Sequence, residues 1–105
     1  MTDFSQLIQF GQQMQGRITQ MQTELASRTV EGAAGGGMVR VVVDGKGQIR
    51  SVKIDPSVVA EGDVEMLEDL VSAAVTDAQR KAESIYKEEM KRIAGGLQLP
   101  FQPPL

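Results

Sequence analysis

A chain of 105 residues with a net charge of −3 and neither cysteine nor histidine is one small domain with a thin core, and pairing with a second copy is a natural remedy. The two missing residue types exclude a disulfide framework, most zinc sites, every Ser-His or Cys-His relay, and the side chain best suited to proton transfer near neutral pH. No apolar run approaches the ~20 residues that span a bilayer, and MTDFSQLIQF lacks the basic region of a signal peptide, so a soluble cytoplasmic protein is expected.

Residues 4–28 read as a helix. Phe4, Leu7, Gly11, Met14, Ile18, Met21 and Leu25 follow alternating three- and four-residue steps, an a/d seam broken only by Gly11. The outer face is mostly glutamine, with Arg17 its single cation before Arg28. Gly11 and Gly16 each weaken the helix by up to ~1 kcal/mol relative to alanine, which predicts fraying near its start.

Three strands follow. RTVEGAA (Arg28–Ala34) is the first, and the glycines Gly35–Gly37 break it from the second, GMVRVVVD (Gly37–Asp44), a β-branched run suited to a pleated sheet. Val39, Val41 and Val43 share one face of the second strand; Met38, Arg40, Val42 and Asp44 share the other. The third is QIRSVKID (Gln48–Asp55), with Val52 and Ile54 opposite Ser51 and Lys53. DGKG between the second and third signals a hairpin, because Asp-Gly tolerates positive φ.

Asp55-Pro56 starts a short helical turn, with proline at a first-turn position where its missing N–H does no harm. Asp63 then caps a second long helix, from about Val64 to Ala94. Acids crowd its first turns and Lys87, Lys91 and Arg92 its last, as the helix dipole favours. At ~1.5 Å per residue this rod is ~45 Å long, and a sheet of short strands spans about half of that. Its apolar stripe is broad early and narrow later, which predicts one buried half and one projecting half. Gly95-Gly96 ends it, and the proline-rich tail 97–105 is expected to be extended or disordered.

The glycines do not make a nucleotide site. Gly45-Lys46 is followed by Gly47 and another strand, with no hydroxyl in place and no helix to receive a phosphate. The six carboxylates from Asp55 to Asp69 match no calcium loop, and the helix dipole accounts for most of them. No serine sits in a nucleophile elbow, so the chain is not expected to be an enzyme.

Net charge hides an uneven distribution. Arg28, Arg40, Lys46, Arg50 and Lys53 face only Glu31 and Asp44, a local balance of +3. Arg80, Lys81, Lys87, Lys91 and Arg92 face Glu83, Glu88 and Glu89, a balance of +2. A solvated helix face laced with i,i+4 pairs is the alternative account of that second cluster. None of the four aromatics, Phe4, Phe10, Tyr86 and Phe101, lies on a strand, so the sheet has no stacking platform for single-stranded nucleic acid. Any nucleic-acid contact is therefore expected with duplex phosphates, tolerant of sequence and sensitive to salt.

The blocks GGGMVRVVVDGKGQIRSVKIDPSVV, DVEMLEDLVSAAVTDAQRKAES and MKRIAGGLQLP resemble the YbaB/EbfC family of bacterial nucleoid-associated proteins, and MQGRITQMQTEL in the first helix fits it too. The resemblance covers essentially the whole chain. It implies an α+β fold, α-β-β-β-α, with a three-stranded antiparallel meander sheet and a long C-terminal helix. It further implies a tight homodimer whose projecting helices give a tweezer shape, with one domain over residues 1–96. The implied function is binding of duplex DNA with little sequence preference, affecting nucleoid organisation and gene expression, in the nucleoid and without a cofactor, metal or small-molecule substrate. Carried over by position, the family's helical DNA contacts fall on Arg17 in the first helix and on Arg80, Lys81, Lys87, Lys91 and Arg92 in the second. The rival is a dimeric protein-interaction module, in which the first helix's seam and the second's narrow stripe hold a protein partner.

Overall fold

Val39, Val41 and Val43, spaced by two, form the centre of the core and are fully buried. They lie on the middle strand of a three-stranded antiparallel sheet. In the computed structural model, which describes residues 3–96, the elements are α1 (Phe4–Ser27), β1 (Thr29–Ala34), β2 (Val39–Asp44), β3 (Ile49–Ile54), α2 (Pro56–Ala60) and α3 (Val64–Gly96). The sheet order is β1-β2-β3, a meander, so the chain is α+β with a long C-terminal helix. The tail 97–105 lies outside the described residues.

Turn chemistry sets the sheet's boundaries. Gly35, Gly36 and Gly37 all have positive φ, which side chains rarely adopt, and they join β1 to β2. The β2–β3 turn works differently from the simple Asp-Gly expectation. The Gly47 N–H donates to the Asp44 carbonyl, and only Gly47 (φ 89°) is left-handed. Gly45 is needed for closeness instead: its N–H donates to the carbonyls of Leu25 and Arg28, docking the end of α1 on the hairpin. A Cβ at Gly45 would lie 2.6 Å from the Leu25 oxygen.

Asp44 is buried at a position expected to face outward. Alternation puts it on the outer face with Arg40 and Val42, and there the hairpin and Arg50 cover it. Its Oδ1 accepts from the N–H groups of Lys46 and Gln48, and its Oδ2 accepts from Arg50. The register shifts between Val42 and Val43, where β3 bulges at Arg50, the residue whose guanidinium reaches the Asp44 carboxylate. Burial pushes the Asp44 carboxyl up, but the Gln48 and Lys46 N–H groups and the Arg50 guanidinium together hold it below its ordinary value.

α3 starts where Asp63 accepts from the Met66 N–H, as its sequence position requires. Ala74, Ala78 and Ala82 seal it onto the valines, with Leu67, Leu70 and Val71 around them. At 33 residues it is ~50 Å long and runs past the sheet. The second half overhangs the sheet but is not bare. Ile85, Met90 and Ile93 pack against Met21 and Leu25 of α1, with Phe10, Met14 and Ile18 continuing the contact. The two helices run antiparallel and give the molecule a long axis of 69 Å. α1 is continuous from Phe4, capped by Asp3, so the glycines do not interrupt it. Its seam outruns its partner: Met21 and Leu25 are buried, but Phe4 is 74% exposed.

Candidate nucleic-acid interface

The sequence places five cations on the second half of α3, and helix geometry sorts them. Arg80, Ser84, Lys87 and Lys91 are spaced by four, three and four residues, so they form one stripe. That stripe lies opposite the face that carries Ala74, Ala78 and Ala82 into the core, and all four residues are exposed. It is ~16 Å long from Arg80 to Lys91. Ser84 is not among the expected contact residues, although its 80-84-87-91 spacing could have found it. Hydroxyls beside cations are common phosphate ligands.

Lys81 and Arg92 fall on the flank of the helix. Lys81 is drawn to the edge of the sheet, where its ammonium pairs with Asp77 at 3.2 Å and donates to the Glu31 carbonyl. Asp77 in turn accepts from the Ala33 N–H of β1 at 3.1 Å. That bond and the Lys81 ammonium hold the Asp77 carboxyl below its ordinary value. Together Asp77 and Lys81 engage a donor and an acceptor of β1's outer edge, at Ala33 and Glu31. Lys81 is thus also a structural residue.

Arg92 turns toward α1. It lines a groove of about 320 Å³ with Arg17, so two cations far apart in sequence share one site. Glu24 and Glu89 line it as well, which leaves the groove close to neutral. Arg92 pairs with Glu89, and Lys87 pairs with Glu83 at 3.1 Å. Among the described residues, Arg17, Arg80 and Lys91 stand in no ion pair.

The sheet contributes a different surface. Arg40 and Lys53 are cross-strand partners on the face away from α3, and Arg40 pairs with Glu31 at 2.7 Å. Val52 and Ile54 pair with Val41 and Val39, so they lie on the α3 side of the sheet. α3 packs chiefly on β1 and β2, and Val52 remains 43% exposed. Among the described residues no helix is long and apolar enough to cross a membrane.

Residues 1–97 match the model of the YbaB/EbfC DNA-binding family. The chain is 48% identical over 101 residues to a nucleoid-associated protein of Gemmatimonas aurantiaca, covering 96% of each chain. It is 46% identical over 101 residues to a nucleoid-associated protein of Beijerinckia indica, covering 96% of this chain and all of that one. Its fold matches the crystal structure of an uncharacterized Helicobacter pylori protein with a TM-score of 0.82 at 26% identity, over 90% of this chain and 100% of that one.

Proposed function

This chain belongs to the YbaB/EbfC DNA-binding family, and from that premise we propose that it binds duplex DNA as a homodimer with little sequence preference. The role follows as a non-enzymatic one in the nucleoid, organising DNA and so affecting gene expression. The observation that carries the reading is the outer stripe of α3: Arg80, Ser84, Lys87 and Lys91 project to solvent from a helix arm that extends beyond the sheet. A row of cations on a rigid rod suits backbone phosphates, which are regularly spaced and carry no sequence information. Arg17 and Arg92 are secondary contacts at the tip of the same arm, and Lys81 contributes least because the sheet edge engages it.

The pairing surface we assign is the open side of β3. What supports it is the contrast between the two sheet edges. β1's outer edge is engaged by α3 side chains, whereas β3 is exposed along its whole length and presents Ile49, Val52 and Ile54. A second copy placed there shields this apolar stripe and supplies a second arm. Two arms on one duplex raise the effective concentration of each, so individually weak stripes hold DNA jointly.

The test is a mobility assay on linear duplex, titrated with salt, beside a mass measurement in solution. Shifted duplex at low salt with micromolar dimer is expected, lost steeply as salt rises. No shift at low salt refutes DNA binding, and a monomer mass at the same concentration refutes the pairing. The protein-partner reading is favoured by one observation, the exposure of Phe4, Leu7 and Ile8 on α1. It predicts a dimer that leaves duplex unshifted.

A further inference from the structure

The cations of α3 differ in whether the helix already neutralises them. Lys87 is held by Glu83 at 3.1 Å and Arg92 by Glu89. Each acid precedes its cation by four or three residues, the order that favours intrahelical pairing. The two pairs differ in setting. Glu83 and Lys87 are both well exposed, whereas the Glu89 side chain is only 20% exposed, within the groove where Arg92 and Arg17 meet. Arg80 and Lys91, on the same stripe as Lys87, have no such partner among the described residues.

Resting on the duplex-DNA reading, we propose that Glu83 and Glu89 are affinity-setting residues that compete with DNA phosphate for Lys87 and Arg92. A phosphate oxygen and a carboxylate oxygen ask for the same ammonium or guanidinium protons. Before Lys87 or Arg92 meets the duplex, its internal pair opens, and the freed carboxylate is left beside a polyanion. The carboxylates therefore lower affinity twice, by holding the cation in the free protein and by repelling phosphate in the complex. The consequence is a binder that releases DNA readily, with Arg80 and Lys91 making first contact and Lys87 and Arg92 joining by exchange of partners.

The test compares duplex affinity for wild type, Glu83→Gln, Glu88→Gln, Lys87→Ala and the double variant Glu83→Gln/Lys87→Ala. Glu88 is exposed on the same stretch of helix and stands in no ion pair, so Glu88→Gln removes the same charge without freeing a cation. Glu83→Gln is expected to bind duplex more tightly than Glu88→Gln, by about twofold per arm and about fourfold for two arms. In the Lys87→Ala background the advantage of removing Glu83 should fall to that of Glu88→Gln, because a cycle isolates the pair from the general field. Glu89→Gln, with folding checked by circular dichroism, should tighten binding in the same sense. Equal affinities for Glu83→Gln and Glu88→Gln overturn the proposal, as does an advantage that persists without Lys87. If all five proteins leave duplex unshifted at low salt, the DNA reading itself fails. A wild type that shifts duplex while the cycle shows no coupling leaves that reading standing and removes only this inference.

Discussion

The two halves of α3 are one continuous helix in two different surroundings. From Val64 to Ala78 it lies on β1 and β2, sealed by Ala74 and Ala78 against Gly32 and the valines. Its outer face there carries Glu65, Glu68 and Asp69. Beyond Ala82 there is no sheet beneath it; α1 takes over through Met21 and Leu25, and the outer face turns basic. The difference teaches how a small domain separates tasks along one rod. The first half settles the fold, and the second, packed against α1, presents charge at a distance from the core.

The largest expected effect comes from breaking the first half. A Cβ at Gly32 would lie 2.3 Å from the Ala78 backbone nitrogen and 2.6 Å from the Ala74 oxygen. Gly32→Leu should therefore lift α3 off the sheet and cost about 3 kcal/mol or more, read as a lowered midpoint in denaturant. A midpoint close to wild type would mean that the helix does not depend on that close approach.

Charge reversal of the second half should do the opposite, sparing stability and removing function. Arg80→Glu/Lys87→Glu/Lys91→Glu touches only exposed positions, so unfolding and the mass in solution should stay near wild type. Duplex affinity should fall at least about tenfold, and the salt dependence should flatten by about 0.9 in log–log slope for each phosphate that the protein no longer neutralises. Unchanged affinity would move the interface to another surface, with Arg40 and Lys53 on the outer sheet face the next to test.

A smaller effect sharpens the boundary between the halves. Asp77 joins α3 to β1, and its folded carboxyl is held low by the Ala33 N–H and Lys81. A lowered folded value contributes stability that is present above the unfolded value of about 3.9 and lost as pH falls through the folded one. Melting temperature should thus be flat from pH 7 to pH 5 and decline below about pH 4, and Asp77→Asn should show less of that decline. Parallel curves for the two proteins would show that this carboxylate does not tie helix to strand.

Much of the fold is legible in the sequence because its signals are local. Alternating valines mark β2, Pro56 and Asp63 mark two helix starts, and the three glycines after Ala34 mark a reversal. The burial of Asp44 is not legible, because it depends on the hairpin N–H groups and on Arg50 reaching it from the β3 bulge, which alternation does not record. The candidate site is legible as a set of residues but not as a surface. Ser84 goes unnoticed because it carries no charge, although its spacing puts it in the stripe.

Taken by itself, the sequence determined the elements, their order, the faces they would bury and the absence of histidine and cysteine chemistry. These depend on backbone sterics, side-chain branching and periodicity, which act over a few residues. Only the tertiary structure decided which cations are available. Lys81 sits at β1's edge because α3 crosses the sheet where it does, and Arg92 meets Arg17 because α1 folds back along α3. It also decided that β3 stays exposed, since α3 packs chiefly on β1 and β2. Such outcomes depend on how elements distant in the chain share a small core, and no local pattern carries that information.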